Sequence, residues 1–439
     1  MTSVNDKLKR RIRIFGVFPP FIPANKTIDL FNNIITSIPN LSKSTCEIHF
    51  FVTQNKFAIA FLNWIAGFST TNVQHVAISI SQEPGIREQE DQIEEYPKLP
   101  IIANLTSITF QPYRRGQIEG PHGLETFLQV LIDSAPNLTS LNVCGTFCPN
   151  LAGCKKLNVL IFHFKQFPRI GPATRQFNLA TIIEMLAQVK DSLTEMTLHY
   201  DGNSIFNRAQ SNLQNNLLST IRDTPVMSEL SSLTIISINW FSIHNFFDEY
   251  HLPKLKNLNL EKTYLEYSLL NHLNVWQRHR GVQSLTVKAI DIDNTHREFS
   301  RKIAQLFPTI KKFYFTIGFF ADYLVNEISP MMEPFQVWDL EESKVVVHYA
   351  KKSSLLVECL KSMAKWKGVK RLHFENTQVN YDDFSPRIED LVRYGRGLKS
   401  VEISGYYGIK DQEVVELMRP IFDASDAPIK LTGGVGRCI

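Results

Sequence analysis

Residues 253–263 read PKLKNLNLEKT, with Leu255, Leu258 and Leu260 at the first, fourth and sixth places of L-x-x-L-x-L. Copies of such a triplet at a fixed period mark short strands, each one coil of a stacked repeat. The triplet returns as Leu105-Ile108-Phe110, Leu138-Leu141-Val143, Leu157-Leu160-Phe162 and Leu193-Met196-Leu198. It continues as Leu233-Ile236-Ile238, Val282-Leu285-Val287, Ile310-Phe313-Phe315, Val369-Leu372-Phe374 and Leu398-Val401-Ile403. Val73-Val76-Ile78 is an earlier copy, and Ile12-Ile14, Ile48-Phe50 and Ile429-Leu431 keep only the last two places. Leu255, Val282 and Ile310 stand 27 and 28 residues apart, and Val369 and Leu398 stand 29 apart. The gap of 59 from Ile310 to Val369 predicts one degraded copy between them, and the run Lys344-Val345-Val346-Val347-His348-Tyr349 fits it.

The segments between triplets carry helical spacing. Leu124, Phe127, Leu128 and Leu131 follow i, i+3, i+4, i+7, as do Leu356, Cys359, Leu360 and Met363, and Val414, Leu417, Met418 and Ile421. Phe299, Ile303, Leu306 and Phe307 form a further stripe, and Phe384, Ile388, Leu391 and Val392 another. Such stripes predict helices with one buried face. Strand and helix in alternation place parallel strands on one side and helices on the other, and neither element buries its apolar face unless neighbouring coils stack.

With these triplets and a period near 28, the chain resembles the leucine-rich-repeat proteins, whose units run 20–29 residues. Ribonuclease-inhibitor-like proteins and the repeat regions of F-box/LRR proteins are the most similar types. The resemblance spans residues 12–431. It implies an α/β leucine-rich-repeat solenoid, with a curved parallel sheet on the concave side and helices on the convex side. The ninth place, where this family often carries Asn or Cys, holds Thr263 after Leu255 and Ile290 after Val282. A regular ladder at that place is not expected.

Of 439 residues, 44% are apolar and 21% charged, which is globular composition. The resemblance implies that residues 1–439 form a single leucine-rich-repeat domain. Gln82 to Pro100, with Glu83, Glu88, Glu90, Asp91, Glu94 and Glu95, reads as an acidic loop insertion. Asp201 to Gln214 reads as irregular, as does Ile328 to Glu342, which Pro330 and Pro334 interrupt. Met1 to Lys9 and Gly433 to Gly436 read as loose ends. Forty-seven basic residues against 43 acidic ones give a net charge of +4, too balanced to imply nucleic acid. No apolar h-region follows MTSVNDKLKRRIRIF, and no run of 18 apolar residues occurs, so neither a secretory signal nor a spanning helix is expected. The four Asn-x-Ser/Thr sites, at Asn25, Asn40, Asn104 and Asn137, are therefore read as unmodified, and the protein as cytoplasmic, with the nucleus as the alternative.

Catalytic, cofactor and metal sites are not expected. Cys144, Cys148 and Cys154 precede His163, but C-x3-C-x5-C departs from the paired spacing of zinc ligands. Cys46, Cys359 and Cys438 are scattered, which fits a reducing compartment. His75, His163 and His199 fall at open-face places of the repeat, with Glu195 and Asp201 near His199; an acid–base pair is weighed there against a polar surface, and the surface is preferred. The cluster Lys7 to Arg13 reads as a solvated edge.

Residues that alternate with the buried triplet should line the opposite face of the sheet. They include Ser140, Asn142, Asn257, Asn259, Glu261, Ser284, Thr286, Ser400 and Glu402. Lys288, Lys312, Tyr314, Arg371 and His373 share that face and are the expected partner-binding residues, the cations forming a basic strip. The expected function is non-enzymatic: a scaffold holding a protein partner on the concave sheet, with no nucleic acid and no membrane. The F-box/LRR resemblance implies the substrate-recognition arm of an F-box-type ubiquitin ligase, which would reach a cullin-adaptor complex if an F-box is supplied upstream; none is found in this sequence. The ribonuclease-inhibitor resemblance implies the alternative, a regulator or inhibitor of an enzyme.

Overall fold

Residues alternating apolar and polar at period two bury one face of a strand, and the computed structural model shows such strands at the repeat positions. It describes residues 11–16, 45–52, 55–66, 73–80, 95–112, 124–145, 147–165, 179–201, 224–236, 248–261, 273, 276–289, 296–318, 325–350, 352–376, 384–405 and 411–432. The chain forms two compact units, Met1–Leu230 and Ser231–Ile439.

The first unit runs β1 (Arg11–Gly16), β2 (Thr45–Val52), α1 (Asn55–Ala66), β3 (Val73–Ile80) and β4 (Ser107–Pro112). It continues through α2 (Leu124–Asp133), β5 (Ser140–Gly145), β6 (Val159–Lys165), α3 (Leu179–Ala187) and β7 (Glu195–Asp201). Each strand pairs in parallel with the next in chain order. The second unit opens with β8 (Ser232–Ile236), β9 (Asn257–Glu261), β10 (Ser284–Ala289), α4 (His296–Leu306), β11 (Lys312–Gly318) and α5 (Val325–Met332). Then come β12 (Glu342–Ala350), α6 (Ser353–Ala364), β13 (Val369–Asn376), α7 (Ile388–Gly395), β14 (Ser400–Gly405), α8 (Asp411–Asp423) and β15 (Ile429–Thr432). Its strands also pair in parallel and in order. The predicted degraded copy is β12.

Helices cover the buried face. In the first unit Phe50 of β2 meets Phe61 of α1 at 4.6 Å between ring centroids, and Phe127 of α2 packs near Phe61 and Phe110. In the second, Phe313 of β11 contacts Phe335, Trp338 and Trp366, and the Trp338 indole N–H donates to the Phe307 carbonyl at 2.8 Å. Leu141, Leu258, Leu285, Phe313 and Leu372, at the middles of their strands, are all buried. The stripes on α2, α4 and α6 are buried as the spacing predicts.

Several expectations need correction. Leu233 stands opposite Leu258, a fourth place, so the triplet of that copy is Leu230-Leu233-Ile235 and not Leu233-Ile236-Ile238. All three residues are buried, whereas Ile236 is half-exposed. Adjacent apolar residues, Ile235-Ile236, make the two registers hard to separate by pattern. Residues 328–342 are largely helical, through α5 and a 3-10 turn at Glu333–Val337. Pro334 sits at the start of that turn, where no backbone N–H is needed, and buried Ile328, Met331, Met332 and Phe335 hold the segment down. On α8 the stripe is misplaced: Met418 and Phe422 are buried, while Leu417 and Ile421 are exposed. Within 82–100 only residues 95–100 are described, and Tyr96 there is buried. Most of 201–214, the termini and the side chains of β1 lie outside the described residues.

Adjacent coils are tied where the strands begin. The carbonyl of Thr106 accepts the N–H groups of both Thr139 and Ser140, at 2.8 and 3.0 Å. Thr139 and Asn158 accept pairs from the following coil, and so do Ser231, Lys256, Gln283 and Lys311. In the first unit side chains add to this ladder: Thr106, Thr139 and Thr194 donate their hydroxyls to Gln74, Thr106 and Asn158 carbonyls. The ninth places Thr263 and Ile290 lie outside the described residues; the described ladder stands at the second place, in the recurring Leu-Thr of the first unit.

The pattern slips once. Phe315 stands opposite Val345, a sixth place opposite a sixth place, but Val345 stands opposite Leu372, a fourth. From β13 onward the repeat is displaced by two residues. The inward fourth place of β12 is Ser343, fully buried with no described partner for its hydroxyl, and Lys370 stands opposite it. Val369, expected to be buried, is 40% exposed; Trp366 is buried instead. Gly368 makes the entry possible. Its φ is +71°, and a Cβ there would lie 2.2 Å from the Leu340 carbonyl oxygen.

His279 anchors the turn into β10. It is buried, with Nε2 3.1 Å from the Leu252 carbonyl and the Gly281 N–H donating to Nδ1 at 3.2 Å, which suits the neutral ring. Burial holds its pKa below the ordinary 6.5, against the Leu252 hydrogen bond and the nearby Glu249 and Asp248.

Three predictions follow from this packing. Leu258→Ala should cost about 2–5 kcal/mol in urea titration, and Asn257→Ala, on the exposed neighbour, about 0.5 kcal/mol or less; equal costs would overturn the register. Ser343→Ala removes an unsatisfied hydroxyl and should raise stability by about 1 kcal/mol. With the His279 pKa depressed, the unfolded chain binds the proton first, so stability is retained above 6.5 and falls as pH drops below it. The drop between pH 7.5 and 5.5 should be smaller in His279→Gln, measured by the same titration.

Candidate functional site: the open face of the second sheet

Every second side chain of β9 to β15 points away from the helices and is half-exposed or exposed. Register places them in rows. Asn259, Thr286, Tyr314, Lys344, Arg371 and Ser400 form one row across β9 to β14. Glu261, Lys288, Thr316, Val346, His373, Glu402 and Lys430 form the next, and Asn257, Ser284, Lys312, Glu342 and Val369 a third at the strand entries.

The five sequence-predicted residues therefore share one face. Lys312 and Tyr314 neighbour each other on β11, and Lys288 stands three strands from His373, about 14 Å at the usual strand spacing. Their electrostatics differ from the expected basic strip. Lys288 Nζ lies 2.8 Å from Glu261, and Arg371 pairs with Glu342 on β12. These carboxylates cancel two of the three cations, Glu261 from directly opposite in the same row and Glu342 diagonally from the neighbouring row. With side chains roughly a third exposed, each pair contributes modestly, about 0.2–1 kcal/mol.

Histidines and carboxylates gather at the exit side. His348 Nδ1 pairs with Glu375, and His373 lies 3.9 Å from Glu375, 3.6 Å from Glu402 and 3.0 Å from the Ser404 hydroxyl. Sequence reasoning missed His348, Glu342, Glu375 and Ser404. The signal was present in β12, where Lys344, Val346 and His348 alternate with buried Val345 and Val347, but the degraded triplet hid the register.

In the first unit, His163 and His199 stand opposite each other on β6 and β7, with rings stacked at 3.6 Å between centroids. Glu195 is four residues back along β7, about 13 Å at 3.3 Å per residue, so it does not pair with His199. His75 is opposite Ser107 on the same sheet. Cys144 and Cys154 are buried and Cys148 half-buried. Burial, with Glu184 nearby, pushes the Cys148 thiol up to about 12. Burial and Asp133 raise Cys154 to about 11, partly offset by Lys155. In the second unit, burial raises Cys359 to about 12. Thiols so placed are poor thiolate nucleophiles or metal ligands. Among the described residues no group of three or more His, Cys, Asp or Glu is arranged to hold a metal ion, and no helix is long and apolar enough to cross a membrane.

Among the described residues the open face offers hydrogen-bonding groups, paired charges and the Tyr314 ring. Comparison with protein-family models and with curated proteins found no match.

Proposed function

We propose that this chain is a leucine-rich-repeat interaction scaffold without enzymatic activity, and that its open sheet face holds a protein partner. The observation that carries the reading is the aligned row system: successive coils deliver Lys312, Tyr314, Arg371 and His373 to one half-exposed face. Extended faces of this kind in repeat proteins bind macromolecules, and Tyr and Arg are enriched at interface hot spots. Lys288 and Arg371 enter as members of cross-strand pairs, so they favour a partner that presents both donors and acceptors over one that is simply acidic. The more specific version, the recognition arm of an F-box-type ubiquitin ligase, rests on the sequence resemblance alone.

Affinity purification of the tagged chain identifies the partner. Cullin-adaptor components would favour the ligase arm, and a single stoichiometric enzyme would favour the regulator or inhibitor. With the partner in hand, Tyr314→Ala and Lys312→Glu should each weaken capture about tenfold or more, with circular dichroism unchanged. Glu416→Lys, on exposed Glu416 of α8, should leave capture intact. Full binding by the first two variants with loss in the third would place the site on the helical side.

A further inference from the structure

Three of the turns that lead into the strands of the second unit share a pattern that the open face does not use. Lys254-Leu255-Lys256 precedes β9, Arg278-His279-Arg280 precedes β10, and Lys365-Trp366-Lys367 precedes β13. In each the middle residue is buried, and all six flanking cations are exposed. The buried middle residue anchors each turn, so its two cations are held two residues apart on the solvent side. Because the strands are parallel, these turns lie along one edge of the sheet, with β9 and β10 about 5 Å apart. His279, held neutral, adds no charge of its own.

Across the turn into β12, Lys311 and Lys367 both reach Asp339, at 3.1 and 3.2 Å. Asp339 and Glu341 flank buried Leu340 on that turn, and Glu249 accepts the Arg280 N–H, but the seven cations Lys254, Lys256, Arg278, Arg280, Lys311, Lys365 and Lys367 outnumber these three carboxylates. The like positions of the first unit are sparser in charge: Asn104 and Thr106 flank Leu105, Asn137 and Thr139 flank Leu138, Ser192 and Thr194 flank Leu193, and one cation, Lys156, flanks Leu157. The cations are thus concentrated on one edge of one unit, a distribution that the near-balance of 47 basic and 43 acidic residues conceals.

We propose that this edge binds the phosphate backbone of a nucleic acid, without reading its sequence. Three features favour phosphates over an acidic polypeptide. Doublets on the neighbouring β9 and β10 turns give a cation density that a regularly charged polymer matches. The planar forks of Arg278 and Arg280 suit phosphate oxygens. Exposed apolar side chains near the edge, Tyr250, Val337 and Val369, are single and do not form the desolvated apolar core of a protein interface. Contacts of this kind position a nucleic acid and carry no base readout.

The test is fluorescence anisotropy of the full chain with an unstructured 20-nucleotide RNA, in 50 to 300 mM salt. Binding should weaken with salt, with a log–log slope near −3 for about four phosphates on a single strand. The double variants Lys254→Glu with Lys256→Glu, and Lys365→Glu with Lys367→Glu, should each lose at least tenfold in affinity and flatten the slope. Tyr314→Ala should bind RNA as the parent does, which separates this edge from the open-face site. Circular dichroism confirms that each variant is folded, and if a charge-reversal pair fails to fold, the corresponding Lys→Gln pair replaces it. Absence of RNA binding at 50 mM salt overturns the proposal, as does retention of affinity in both double variants. Displacement of the RNA by poly-L-glutamate of equal charge, at equal concentration, also overturns it and assigns the edge to an acidic polypeptide.

Discussion

One carbonyl per coil, accepting two consecutive N–H groups from the next coil, is the contact on which the rest depends. A parallel ladder alone leaves neighbouring strands free to slide by two residues without turning a side chain to the wrong face. The doubled acceptor at Thr106, Thr139, Asn158, Ser231, Lys256, Gln283 and Lys311 removes that freedom where the strand begins. Leucine rows can then face the helices coil after coil. Beyond Lys311 the arrangement changes, and Val369 donates alone to Glu341. The pattern slips at the same place, and Gly368, in a backbone conformation that a side chain would forbid, admits the new entry.

That slip has consequences on both faces. On the buried side it leaves Ser343 where a large apolar residue belongs, next to half-buried Lys370, whose ammonium is satisfied by the Trp366 carbonyl and whose pKa burial lowers. Aromatic rings from Phe313, Phe335, Trp338 and Trp366 fill the space that one missing leucine would leave open. On the open side it sets Glu342 beside Arg371 and Glu375 beside His348, so acceptors arrive where repeat spacing alone would place none. A face that counts as basic by composition becomes one of matched pairs.

Charge that remains in surplus sits elsewhere, on the edge where the strands begin. At Lys256 one turn carries both the doubled backbone carbonyl and exposed cations around a buried anchor, so there the element that fixes the register also fixes the placement of charge. The open face and this edge are distinct chemical surfaces of one unit: the first offers paired groups and a tyrosine, the second cations in excess over carboxylates.

Much was legible in the residues themselves. L-x-x-L-x-L at about 28 residues determined parallel strands alternating with helices, and Leu258, Leu285 and Phe313 were placed inward because period-two alternation is a local property. Lys288, Lys312, Tyr314, Arg371 and His373 were placed on one face for the same reason. The register of the copy at Leu230, the slip at β12, the buried face of α8 and the pairing of Lys288 and Arg371 were decided by tertiary structure. Each of these depends on which residues of a neighbouring coil lie opposite, a relation between positions about 28 apart that spacing within one coil does not contain. Where a copy is degraded, as at Ser343, local pattern no longer distinguishes one register from another two residues away, and the hydrogen bonds and packing of adjoining coils select it.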